Sequence, residues 1–184
     1  MNKILLVVIG VAVLIAAVLF GTYNGLIAKS AAIDGQWAQV ETQYQRRFDL
    51  IPNLVNATKG FLKQEKEIFE NIANARAAYS GARTTDEKAS AAGNIESALS
   101  RLLVIVENYP NLKSNETVAR LMDELAGTEN RISVERRRFN ELVQSYNVSI
   151  KTVPTNIIAG MMGFKEKPYF QAAEGSETAP KVEL

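Results

Sequence analysis

The residues best placed to do chemistry are one carboxylate and three guanidiniums: Asp49 with Arg46, Arg47 and Arg131. Asp49 precedes Pro52 by three residues within RRFDLIPNLV, the stretch from Arg46 to Val55. Proline has no N–H to donate and drives the residue before it, here Ile51, away from helical geometry. A carboxylate beside such a break can accept the freed backbone N–H groups, or pair with Arg131 on another helix. Cap and bridge is the reading that the spacing favours over an active site. The chain has neither histidine nor cysteine, which removes Ser-His-Asp triads, Cys-His pairs, imidazole metal sites and helical His-carboxylate di-metal centres. Carboxylates alone leave a hydrolase of the paired-acid kind, or oxygen ligands for calcium or magnesium. The first needs a pocket with two facing acids, and no loop carries the dense Asp, Asn and Gly pattern that the second requires. No glycine run is followed by the Lys-Ser/Thr pair of a phosphate-binding loop. No cofactor and no metal are expected.

Arg136, Arg137 and Arg138 form the densest basic run. Successive helical residues lie about 100° apart, so only part of the run shares a face. Glu129, Glu135 and Glu141 stand at helical spacing from it and can pair with it. The run therefore reads as a solvated helix face more than as a lipid contact. A net charge of +1 and the lack of an aromatic-basic strand surface exclude nucleic acid as a partner.

These residues are carried by helices. From Ile4 to Ala28 no residue is charged, and Ile4 to Phe20 is almost wholly aliphatic or aromatic. About twenty helical residues span about 30 Å, the thickness of a bilayer's hydrocarbon layer, and Tyr23 falls where an interfacial ring is favoured. A cleaved secretory signal is the alternative, with Lys3 as its n-region and Ala28-Lys29-Ser30-Ala31 as its cleavage site. The apolar run exceeds the roughly 7–15 residues of a signal h-region, so residues 1–29 read as an uncleaved anchor. Lys3 and the α-amino group outweigh Lys29, which places the N-terminus inside and the rest of the chain outside the cytoplasm.

Residues 30–153 read as a helical bundle. Its first helix, from about Ala31, carries Ile33, Trp37, Val40, Tyr44, Phe48, Ile51 and Val55 on one stripe. With only Gly21, Gly25 and Gly35 between them, anchor and first helix can form one rod. Pro52 either kinks or ends that helix, and Lys59-Gly60 offers a second place to turn. A second helix, about Phe61 to Tyr79, groups Leu62, Ile68, Phe69, Ile72, Ala75, Arg76 and Tyr79. Thr84 and Glu87 form a capping box opening a third helix with Ile95, Leu99, Leu102, Leu103 and Val106, whose Ala-rich first half is expected to be less buried. A turn over Asn111 to Asn115, with Ser114 or Asn115 as N-cap, leads to the longest helix, about Glu116 to Lys151. Its stripe is Val118, Leu121, Leu125, Ile132, Phe139, Leu142, Tyr146 and Ile150. The expected fold is all-α: an N-terminal transmembrane helix followed by an antiparallel up-and-down four-helix bundle with long helices. A three-helix arrangement follows instead if the first two helices run together through Pro52. Residues 154–170 are apolar and Gly-rich without a helical period. They form either a strap over the base of the bundle or a membrane-proximal segment. Residues 171–184 read as a disordered tail.

QRRFDLIPNLVNATKGF, then Glu65 leading to Ala75-Arg76, then GTENRISVERRRFNELVQSYN, then PTNIIAGMMGF with PYF behind it, resemble the LemA family in order and spacing from about Lys3 to Phe170. The resemblance implies a single-span bacterial membrane protein with a helical-bundle domain. It also implies relatives in envelope and magnetosome membranes, and no established catalytic activity. Within the matching segments it singles out Arg46, Asp49, Pro52, Asn53, Glu129, Asn130, Arg131, Phe139, Tyr146, Asn147, Pro154 and Asn156 as structural or interaction residues. The third helix departs most from the family's motifs, so function is not expected there.

The functional expectation is a membrane-anchored scaffold or interaction protein that homo-oligomerises and organises membrane or envelope proteins, without catalysis. Its partners are the lipid bilayer, further copies and other membrane proteins, and its place is the bacterial inner membrane as a single-pass protein. The alternatives are a monomeric accessory subunit of a membrane enzyme or transporter, and a carboxylate-only hydrolase.

Overall fold

The computed structural model describes residues 2–60 and 66–170, apart from the side chains of Asp86 and Lys113. Leu62 and Glu65, and the tail expected at 171–184, lie outside the described residues. Among the described residues six helices run in order: α1 (Lys3–Lys59), α2 (Lys66–Gly81), α3 (Thr85–Asn108), α4 (Pro110–Lys113), α5 (Glu116–Lys151) and α6 (Thr155–Met162). No strand occurs among the described residues.

The anchor and the first helix of the body are one helix of 57 residues. Its opening is apolar and uncovered, with Ile4, Val7, Leu14 and Phe20 all exposed. That stretch is long and apolar enough to cross a membrane. Glu87–Asn108 also passes that test of length and composition, but it buries Ile95, Leu99, Leu102 and Val106 as a core helix does.

Pro52 neither ends α1 nor bounds a turn; the helix continues to Lys59 and stops at Gly60. An interior proline costs a helix about 3 kcal/mol. Burial of Ile51 and Leu54, which are 3% and 0% exposed, contributes about 1.5–3 kcal/mol each and offsets that cost. Thr58 is buried one turn on, its Oγ1 donating to the carbonyl of Leu54 at 2.8 Å. The buried stripe beyond the proline runs through Leu54, with Val55 only half-buried.

The chain divides into two compact units. The first comprises Met1–Gln39 with Glu135–Tyr169. Its buried side chains include Leu26 and Ile33 from α1, Phe139, Val143, Tyr146 and Ile150 from α5, and Ile158 and Ala159 from α6. Val143 takes the buried place expected of Leu142, which is half-buried. The segment expected to lack helical period contains α6, closed by Gly163 at φ 76°. Only glycine adopts that left-handed geometry cheaply. Phe164 N–H donates to the Ala159 carbonyl at 3.0 Å and Gly163 N–H to that of Gly160 at 3.4 Å, a Schellman closure.

The second unit spans Val40–Val134 and buries Val40, Tyr44, Phe48 and Ile51 of α1 with Ile72 of α2, the α3 stripe, and Val118, Leu121, Leu125 and Ile132 of α5. Two expectations fail here. Ala91 and Ala92, in the polar half of α3, are 6% and 0% exposed, because small side chains let helices approach closely without leaving a void. Arg76, assigned to the inner face of α2, is exposed.

The helix ends follow their local chemistry. Thr84 Oγ1 accepts from Glu87 N–H at 3.2 Å, and Glu87 Oε2 accepts from the N–H groups of Thr84 and Arg83 at 3.1 and 2.8 Å. Tyr109, which precedes Pro110, is extended and ends α3. Where a turn was expected, Pro110 opens the single helical turn of α4, tied down by the fully buried Leu112. Asn115 Oδ1 then caps α5 by accepting from Thr117 and Val118 N–H at 3.0 and 3.2 Å.

Backbone donors at Arg83 and Thr84 hold the Glu87 carboxyl below its ordinary range. A carboxylate depressed on folding supports its helix fully above its unfolded pKa, and that support is lost as pH falls through the lower folded value. The amide of Glu87 is therefore expected to exchange faster, relative to core amides, on acidification through that window. In Glu87→Ala, this acid-dependent step disappears and exchange is fast throughout; hydrogen exchange read by NMR checks both.

Candidate functional site

In the second unit, Arg47 is the centre of charge. It is 6% exposed, and its Nη1 reaches Glu129 Oε2 on α5 in a close ion pair and Glu96 Oε1 on α3 at 3.8 Å. Tyr44, one turn before Arg47 on α1, donates its hydroxyl to Glu96 Oε1 at 3.3 Å. One cation against two carboxylates leaves the group acidic. Beside it lies a recess of about 430 Å³ lined by Arg47, Glu96, Glu129, Ser100 and the apolar Leu99, Leu103 and Leu125. Arg47 Nε is buried there with no hydrogen-bond partner.

The bridge between helices is therefore made by Arg47 and not by Asp49. Asp49 is exposed, and its Oδ1 accepts from Gln45 Nε2 at 2.9 Å on the same helix. Since α1 does not end at Pro52, the freed N–H groups that Asp49 was expected to cap do not arise. Arg46, Asn53, Asn130 and Arg131 are exposed, and Pro52 is half-buried. Glu129, expected to serve the Arg136–Arg138 run, turns to Arg47 instead. That run keeps Glu135 for Arg138 at 2.9 Å and Glu141 for Arg137 at 3.9 Å.

Nearby, Tyr79 of α2 packs edge-on to Phe48 with centroids 4.6 Å apart, and tilted against Tyr44 at 5.6 Å. Burial, with the Glu41 carboxylate adding to it, pushes the Tyr79 hydroxyl up to about 12. It stays protonated at any physiological pH and is no base. Glu41 is itself paired with Lys88 of α3.

In the first unit, the predicted residues Phe139, Tyr146 and Asn147 line the inner side of α5, all buried. Phe139 meets Trp37 edge-on at 5.5 Å. Next to that pair, Gln36 Nε2 donates to Glu135 Oε2 at 2.6 Å. Asn147 closes a reciprocal pair with the chain beyond α6: its Nδ2 donates to the Lys167 carbonyl and its Oδ1 accepts from Lys167 N–H, both at 2.9 Å. Lys167 Nζ continues to Asp34 Oδ1 on α1 at 2.7 Å. Phe164 sets its ring edge-on to Tyr23 at 5.8 Å. The segment after α5 is thus held to α1 and α5 by the Asn147 clasp, the Lys167–Asp34 and Lys151–Glu166 ion pairs and the Phe164–Tyr23 contact. Pro154 and Asn156 are exposed at the start of α6.

Sequence reasoning placed Arg47 in the polar constellation but gave it no carboxylates of its own, and it missed Glu96, Asp34 and Lys167. Glu96 stands directly after the buried Ile95 on α3, the helix set aside as uninformative. An acid flanking a core position was the available signal. Asp34 and Lys167 are far apart in sequence and carry no local signal. Among the described residues, no group of three or more His, Cys, Asp or Glu is placed to hold a metal ion.

The class is that of all-helical proteins with one exposed N-terminal helix long and apolar enough to cross a membrane. The chain belongs to the LemA family, whose model matches residues 36–184. It is similar to magnetosome protein MamQ 2 of Paramagnetospirillum magneticum, 28% identical over 188 residues covering 88% of this chain and 69% of the relative. It is likewise similar to magnetosome protein MamQ of Magnetospirillum gryphiswaldense, 28% identical over 85% of this chain and 67% of that one. Protein LemA of Metamycoplasma hominis is 24% identical over 84% of this chain and 71% of its own length.

Arg47→Ala leaves two carboxylates facing each other. A buried pair broken in this way costs about 3–5 kcal/mol, but the Glu129 side chain is 42% exposed, so solvent screening brings the expected loss down to about 1–3 kcal/mol. Asp49→Ala is expected to stay within about 0.5 kcal/mol of the parent. Chemical denaturation of the two variants in one detergent checks the ranking. Asn147→Leu removes both hydrogen bonds of the clasp, and exchange at the Lys167 amide should rise with little change in the second unit.

Proposed function

We propose that the chain is a membrane-anchored helical interaction protein that assembles with copies of itself and organises the membrane or neighbouring envelope proteins. The observation that carries this reading is the uncovered apolar surface of α1 from Ile4 to Phe20. A patch of that extent is foreign to a monomer in water, and lipid is the solvent it fits, with every backbone group satisfied inside the helix. Ala17, Gly21 and Gly25 follow one another at four-residue spacing along this helix. A Cβ added at Gly21 or Gly25 would meet nothing within 4 Å. Small residues so spaced let two spans come into close contact.

We read the α1, α2, α3 and α5 segments of the second unit as an up-and-down bundle whose surfaces meet partners. Kinship with proteins named for the magnetosome supports a role in organising a bacterial membrane. Nothing in this reading calls for catalysis: the acids beside the recess are occupied by Arg47 and Tyr44, and no imidazole or thiol is present. We read the chain as single-pass in the inner membrane, with Lys3 biasing its side of the span inward.

The full chain in mild detergent and in nanodiscs is expected to run as a concentration-dependent oligomer by light scattering. Gly21→Leu with Gly25→Leu should weaken association about tenfold, or about 1.4 kcal/mol. A monodisperse monomer at every concentration overturns self-association. If that monomer also co-purifies with a membrane enzyme or transporter after crosslinking, it is an accessory subunit instead.

A further inference from the structure

The outer face of α6 has no use in the packing of the first unit. Ile158 and Ala159 are buried, but Ile157 and Met161, four residues apart on one face, are 60% and 76% exposed, Met162 is 55% exposed, and Val153, just before α6, is 78% exposed. From Thr152 to Phe164 no residue is charged, and this stretch is bracketed by Lys151 and Lys165.

The position of this face on α1 says what covers it. Phe164 packs on Tyr23, and from Lys3 to Tyr23 a helix rises about 30 Å, the depth of the hydrocarbon layer. Tyr23 therefore marks where α1 leaves that layer, and α6 is docked at that level. The exposed apolar surface of α1 also runs up to this point, through Phe20, Tyr23 and Ile27, so the two surfaces adjoin. The flanking charge matches a headgroup layer. Among the described residues, Lys167 pairs with Asp34 and Lys151 with Glu166, while Lys29 and Lys165 are in no ion pair, so this group keeps a positive excess.

We propose that α6 is an interfacial helix: Val153, Ile157, Met161 and Met162 insert into the lipid leaflet from which α1 emerges, with the surrounding lysines on anionic headgroups. This rests on α1 spanning the bilayer. Helices of this kind lie in the plane of the interface with their apolar face about 5–10 Å into the headgroup and acyl boundary. Lysine stems reach past that boundary to keep the ammonium in the headgroup layer. The Asn147–Lys167 clasp and the Gly163 turn fix α6 against α1 and α5, so insertion would set the angle at which the first unit stands on the membrane.

The chain has no cysteine, so one introduced thiol is unique. Met161→Cys, Leu14→Cys and Glu141→Cys in the full chain are each spin-labelled in vesicles of phosphatidylethanolamine and phosphatidylglycerol. Collision with oxygen and with a water-soluble nickel chelate is then measured. The label at 161 should be open to oxygen, shielded from nickel, and about 5–10 Å below the phosphates, with position 14 deeper and position 141 in water. A label at 161 as open to nickel as at 141, while 14 remains deep, overturns the interfacial helix and leaves the span intact. A label at 161 shielded from both reagents also overturns it, because protein then covers the face. Nickel access at position 14 overturns the span and the inference with it.

Discussion

The rest of the structure depends on one continuous helix, α1, whose ladder of backbone hydrogen bonds carries on past Pro52 although that residue has no N–H to donate. In hydrocarbon no water is present to satisfy a peptide N–H or carbonyl, so the apolar opening of the chain has to be helical over its whole length. Once it is helical, adding a further turn fixes one residue per hydrogen bond, whereas starting a new helix must pay for nucleation again. The sequence past Tyr23 exploits this by keeping the helical register and changing only what the helix presents. Up to Phe20 every large side chain is uncovered; from Leu26 onward a stripe turns inward through Ile33, Val40, Tyr44 and Phe48. A single element thus presents an uncovered apolar surface along one stretch and a packed stripe along the next.

Each unit answers that helix with a different kind of contact. In the second unit, apolar stripes of α3 and α5 supply most of the burial, and Arg47 with Glu96 and Glu129 adds a directional tie among three helices. Such a buried charge group adds little net stability over an apolar equivalent. Its effect is that only an alignment presenting both acids leaves the guanidinium compensated. In the first unit the buried directional tie is uncharged, with the Lys167–Asp34 ion pair beside it. A buried amide, Asn147, matches the backbone of Lys167 donor for acceptor, holding an irregular segment that has no ladder of its own.

Periodicity and end signals in the sequence foretold the helices well. The capping box at Thr84 and Glu87 and the Asn115 cap appear where their chemistry puts them, because each is a contact between residues a few positions apart. Of the two readings of Pro52, an end to the helix does not hold: its local cost is visible in the sequence, while the burial of Ile51 and Leu54 that offsets it depends on helices distant in the chain. The same holds for Ala91 and Ala92, whose small side chains look neutral until a neighbour is known to press against them. Asp49 drew attention by standing next to a proline. Arg47, one turn away from Tyr44 and level with the core, was the residue turned inward. The choice between these two charges depends on whether the helix continues past Pro52, and that depends on tertiary packing.

The missing histidine and cysteine bear on regulation as much as on catalysis. No side chain with an ordinary pKa between about 5 and 8 is present, and the buried tyrosines shift away from neutrality: Tyr79 to about 12, and Tyr146 upward, both chiefly by burial. The charge of both units is then almost constant across the physiological range, and no thiol is available for redox control. A molecule built this way is a constant surface. What varies has to come from outside it, through whatever meets the uncovered apolar stretch of α1, since anything that binds the folded chain shifts its state by mass action without any change in the chain itself.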